Sequence, residues 1–110
     1  MKITVSKATG RKANQMHVSA EAANILRGYP RRETVFAMIE DDEGEEQPAI
    51  GIMPETSIRT GYVLMDRKKG KGQGMTGSCP KDILEIGEYS MSEIPVFEDQ
   101  IDWYLLNRKT

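Results

Sequence analysis

His17 and Cys79 are the only histidine and the only cysteine in the chain, and nucleophilic catalysis built on them needs the pair within hydrogen-bond reach. Nothing in their spacing brings them together. His17 lies between Met16 and Val18 in an alternating run, so its ring points away from those apolar neighbours, toward water. The stretch GKGQGMTG (70–77) has neither the spacing nor the Lys-Ser/Thr pair with which a P-loop engages phosphate and magnesium. The acidic stretch EDDEGEE (40–46) lacks the alternating ligands and distal glutamate of a calcium loop. One cysteine excludes an internal disulfide framework and a cysteine-rich zinc site. The expectation is a nonenzymatic protein with no cofactor and no metal.

Charge is the more informative chemistry. The formal net charge is −2, yet residues 40–46 hold six carboxylates and no base, which leaves the remainder at about +4. RKKGKGQG (67–74) carries Arg67, Lys68, Lys69 and Lys71 on a glycine-rich tip, where long cations can reach phosphates and release counterions. ATGRKAN (8–14) carries Arg11 and Lys12, with Lys7 beside it. Asn14, Gln15 and Gln73 flank these turns and have the amide groups that contact base edges or backbone. The competing reading assigns the function to the acidic tip. In it, Asp41, Asp42, Glu43, Glu45 and Glu46 meet a protein partner, as in a phage- or virus-type accessory protein, and the lysine-rich turns are solvated hairpin ends. Arg27, Arg31 and Arg32 are read as answering the negative end of a helix dipole. Single-strand binding on aromatic platforms finds no motif: Phe36, Phe97 and Trp103 sit in core-like runs, and four tyrosines are scattered.

The elements that would position these residues are mostly strands. ITV (3–5), MHV (16–18), TVFAMI (34–39), AIGIM (49–53), YVLM (62–65), IPVF (94–97) and IDWYLL (101–106) are short, β-branched or aromatic, and bounded by turn residues. The acidic stretch with Gly44 reads as a hairpin tip in water. Two short helices are expected. Ser19 caps Ala20–Arg27 with Gly28 as a left-handed exit, and Ser78 or Cys79 caps a second helix that has Pro80 in its first turn and Gly87 at its exit. No apolar run approaches the roughly 20 residues of a membrane helix, and MKITVSK is too polar for a signal peptide, so a cytoplasmic protein without membrane contact is expected.

A chain of 110 residues makes one domain, or two small units that share a core. Sliding the sequence by 59 residues lays Lys12 on Lys71, Met16 on Met75, Ser19 on Ser78, Ile25 on Leu84 and Gly28 on Gly87. Cap, helix exit and strand phase coincide at one offset, which points to an internal duplication: repeat one 1–53, joint 54–61, repeat two 62–110.

Each half reads strand, basic turn with glycine, strand, short helix, glycine, strand, turn, strand. With GRKANQMHVSAEAANIL in the first half and KGKGQGMTGSCPKDIL in the second, this order resembles the swapped-hairpin barrel family that includes the transition-state regulator AbrB and the antitoxin MazE. The first half departs from the family pattern by having Ser19 in place of the proline, and the second by having Gly74 and Gly77 in place of β-branched residues. The resemblance implies a mainly β fold, a small closed or swapped-hairpin β-barrel made of two repeats with one short helix each. It also implies a DNA-binding or regulatory module that grips double-stranded DNA through the two basic loops, as a monomeric pseudo-dimer or a homodimer. A related barrel cleaves itself at Gly-Ser, and Gly77-Ser78 is present here, but so common a dipeptide carries little weight.

Overall fold

A computed structural model describes residues 1–8, 12–67 and 74–109. Its strands are β1 (Lys2–Ser6), β2 (Asn14–Val18), β3 (Glu33–Glu40), β4 (Glu46–Ile52), β5 (Tyr62–Val63), β6 (Met65–Asp66), β7 (Met75–Cys79), β8 (Gly87–Met91), β9 (Val96–Glu98) and β10 (Ile101–Arg108), with one helix, α1 (Ala20–Leu26). All pairings are antiparallel. The strand order is β5-β3-β4-β10-β8-β1-β2-β7-β6, with β9 paired to β10 alone. β5 and β6 are separated only by Leu64, so the two ends of this path belong to one stretch of chain and the sheet curls into a nearly closed barrel. The mainly β reading therefore holds. Closure removes most free strand edges, which otherwise invite pairing with other chains.

Alternation explains the wall. Ile3 and Val5 of β1, Met16 and Val18 of β2, Met75 and Cys79 of β7, and Tyr104 and Leu106 of β10 all point inward and are almost fully buried. α1 adds Ala22, Ala23 and Leu26 to the same core, and Leu84 seals it from the segment after β7. Each buried aliphatic side chain contributes on the order of 1.5–3 kcal/mol from lost contact with water.

Three local expectations are corrected. There is one helix among the described residues, not two. Where the second was expected, the N–H groups of Ile83 and Leu84 both donate to the Pro80 carbonyl (3.3 and 3.0 Å) and the chain makes a single turn. The run is too short to propagate beyond a costly nucleus, and Gly87 then opens β8 with φ 149°. Ser19 does not cap α1 with its side chain. Its hydroxyl accepts from the Lys2 N–H at 3.0 Å and its own N–H donates to the Lys2 carbonyl at 2.9 Å, so it extends the β1–β2 ladder. Gly28 is absent from the left-handed positions; its N–H donates to the Ile25 carbonyl in a tightened last turn (3.1 Å).

Candidate nucleic-acid interface

The wall formed by β1, β2, β7 and β6 turns one row of side chains outward for every row it buries. Register places Thr4 opposite His17, Ser6 opposite Gln15, Gln15 opposite Ser78 and His17 opposite Thr76. These residues have the opposite phase to Val5, Met16 and Cys79 and are partly or fully exposed. The result is a face of hydroxyls, one amide and one imidazole, bordered by the exposed apolar side chains of Val63 and, opposite Thr76, Met65. A shallow depression of about 410 Å³ lies on it, lined by Lys7, Gln15, Val63, Met65, Thr76 and Ser78 among others.

Both basic connections leave from this wall, at opposite ends. Asn14 stands opposite Cys79, and Val18 opposite Met75. The β1–β2 connection, with exposed Lys7 and Lys12, therefore departs at the Asn14 end. The β6–β7 connection, entered at exposed Arg67 and left at Gly74, departs at the Val18 end; the Arg67 N–H donates to the Gly74 carbonyl at 3.2 Å. Arg11, Lys68, Lys69, Lys71 and Gln73 lie outside the described residues. Gln15 is on the outer face as expected from strand phase, but Asn14 has a different position. It is 5% exposed and its Nδ2 donates to the Leu84 carbonyl at 3.2 Å, which holds the turn after β7 against the wall. Its amide is committed to the interior.

Arg27, Arg31 and Arg32 have specific partners. Arg27 meets Asp66 through Nε (3.2 Å) and Nη2 (3.0 Å), and Arg32 reaches the same oxygen at 3.5 Å. The Arg27 hydrogen bond, with both guanidinium charges adding, keeps the Asp66 carboxyl below the usual carboxylate range. Arg31 binds Glu33 and donates to the carbonyls of Pro54 (2.8 Å), Ser57 (2.9 Å) and Arg59 (3.1 Å), stapling the 54–61 loop to β3.

The acidic hairpin divides by role. Asp41 accepts from the N–H groups of Glu43 and Glu45, both at 2.9 Å, and these bonds, with one from Gln47, hold its carboxyl low. Gly44 completes the turn at φ 82°, where a side chain would be strained. Asp42, Glu43, Glu45 and Glu46 project into water. This hairpin joins β3 to β4, and β4 and β10 lie across the barrel from β2 and β7.

His17 and Cys79 lie on adjacent strands but on opposite sides of the wall. Cys79 is buried opposite Asn14, its Sγ is 3.8 Å from the Asn14 carbonyl oxygen, and burial pushes its thiol up to about 11. That environment suppresses the thiolate. Among the described residues no group of three or more His, Cys, Asp and Glu is placed to hold a metal ion, and no helix is long and apolar enough to cross a membrane.

Sequence reasoning about the turns missed the outer row between them: Thr4, Ser6, Thr76 and Ser78. The signal was in the alternation of KITVS, NQMHV and MTGSC, where each polar residue falls on the phase opposite to the buried one. Comparison with protein-family models, with curated proteins and with solved structures returns no match.

Proposed function

We propose that the chain is a covalent pair of related β units, the first with α1 between its strand pairs and the second with a single turn there, and binds double-stranded DNA, without catalysis, on the outer face of β1, β2, β7 and β6. The observation that carries this is the order of pairing. β1 pairs with β2 of its own half and with β8 of the other; the 62–66 stretch pairs with β7 of its own half and with β3 of the other. β2 meets β7, and β4 meets β10. Exchange of the halves keeps these pairings, except that β9, which pairs with β10 alone, has no counterpart in residues 1–53. Such cross-pairing is what swapped-hairpin barrels of the AbrB and MazE type would have if two chains were fused.

On this reading an approximate dyad passes between β2 and β7, at the centre of this face, with exposed Lys7 and Lys12 toward one end and exposed Arg67 toward the other. A duplex has dyads of its own, so two cationic arms about such an axis match the symmetry of its backbone. Hydroxyl and amide groups between the ends suit phosphate, sugar and base-edge contacts, and among the described residues the face has no exposed aromatic platform for a single strand. Lys7, Lys12 and Arg67, with the lysines of 68–71, neutralise phosphates. The acidic hairpin on the far wall disfavours binding the other way round.

A titration of a labelled duplex at two salt concentrations tests this. Saturable binding whose logarithmic salt slope is about −0.9 per neutralised phosphate supports it. Absence of binding at low salt removes it.

A further inference from the structure

Strands of a small barrel ordinarily bury one row of side chains and wet the other. β3, β4 and β10 depart from this. Phe36, Ile50 and Leu106 fill the barrel, while Ile39, Ala49, Ile101 and Trp103 form a second apolar cluster on the outside of the same wall. Val35, Ala37 and Leu105 lie partly open against it. Gly51 permits the arrangement. A Cβ there would stand 2.5 Å from Ile101 Cγ2 and 3.0 Å from the Asp102 carbonyl oxygen, so a bare glycine lets β10 lay Ile101 and Trp103 across β4.

A groove of about 450 Å³ crosses this face, floored by Val35, Ala37 and Trp103 and edged by the 54–61 loop, whose Ile58 is 98% exposed. At the other end of the stripe Ile39 adjoins Glu40 and the hairpin tip. Among the described residues, Glu40, Asp42, Glu43, Glu45 and Glu46 take part in none of the ion pairs.

We propose that this outer face docks a protein segment with an apolar ridge followed by a cluster of lysines and arginines. The ridge enters the groove along partly open Val35 and Ala37, against the 5% exposed edge of Trp103, and the cluster meets the tip. Charge selects this occupant over a second copy packed face to face on the same surface, because β3 and β4 contain no lysine or arginine to answer a facing acidic tip. β4 and β10 are across the barrel from β2 and β7, so this surface and the polar face can be occupied together, and the inference does not depend on DNA binding.

Trp103 is the only tryptophan, so its emission reports the groove directly. The probe is a synthetic amphipathic leucine–lysine peptide, compared with a leucine–glutamate analogue and with a serine–lysine analogue. The expected result is a saturable shift in Trp103 emission with the leucine–lysine peptide alone. Affinity should fall at least tenfold in the quadruple variant Asp42→Asn, Glu43→Gln, Glu45→Gln, Glu46→Gln, and again in Ala37→Glu, with melting curves showing both folded. An unchanged affinity in the tip variant overturns the proposal, as does equal binding of either analogue, no emission change, or sedimentation showing a dimer that already covers Trp103. Because the tip variant alters only exposed side chains, the test survives even if Ala37→Glu fails to fold.

Discussion

The Tyr29 hydroxyl lies 2.6 Å from the Tyr104 hydroxyl and donates to Asp102 Oδ2 at 2.8 Å, with the two rings edge to face at 6.3 Å. Since Tyr29 gives its proton to the carboxylate, Tyr104 donates to Tyr29. Burial first, then these hydrogen bonds, push ionisation of Tyr29 far above the ordinary phenol range. This chain of bonds ties the segment after α1 to β10. Tyr29→Phe removes its centre and is expected to lower stability by about 1–3 kcal/mol, measured by urea unfolding. A cost below about 0.3 kcal/mol would show that the bonds are dispensable.

Asn14 gives a sharper contrast, because the sequence placed it among DNA contacts and the structure gives it an interior partner. Asn14→Ala leaves the Leu84 carbonyl without its donor and is expected to cost about 1–3 kcal/mol. Leu84→Ala, which empties a fully buried site, should cost about 2–5 kcal/mol. Gln15→Ala, on the exposed outer row, should stay within about 0.5 kcal/mol of the parent and weaken duplex binding instead. Thermal melts and duplex titrations of all three variants separate the roles.

Stability toward acid follows from Glu33. Hydrogen bonds from Arg31 and from the Gly61 N–H (3.0 Å) outweigh desolvation and hold its carboxyl below the usual range. A depressed folded-state pKa contributes stability that is fully present above the unfolded value of about 4.3 and is lost as pH falls through the folded one. Stability should therefore decline below about pH 5, with Asp41 and Asp66 acting in the same direction. Glu33→Gln should show a shallower decline over that window. An identical pH profile in the variant would contradict the assignment.

The 54–61 loop is held by shape as well as charge. A Cβ on Gly61 would sit 2.2 Å from the Thr34 carbonyl oxygen, a backbone atom that cannot swing aside. Gly61→Ala should destabilise more than 1 kcal/mol and open the 54–61 loop to protease, read by limited digestion.

What was legible in the sequence follows from what local pattern encodes. Alternation in KITVS and NQMHV announced the strands, because strand phase depends only on near neighbours; it also encoded the outer row, which the reading of the turns passed over. The second helix was not legible as a single turn: PKDIL has a helix opening and an apolar face but too few residues to propagate, and packing of Leu84 decides its shape. Ser19 looked like a cap because its alternative partner, Lys2, is distant in sequence. Asn14 looked exposed for the same reason, since its partner Leu84 arrives from the other half of the chain. The outer apolar face did leave a trace, in that TVFAMI and IDWYLL are nearly unbroken apolar runs, as expected of strands covered on both sides.

The central claim is most directly tested by mapping backbone amide shifts during titration with a duplex. Perturbations should centre on Thr4, Gln15, His17, Thr76 and Ser78 and extend to Lys7 and Arg67 at the two ends, and Arg67→Gln should reduce the salt slope by about 1. Shifts confined to one end, or centred on Trp103, would contradict recognition about a dyad between β2 and β7.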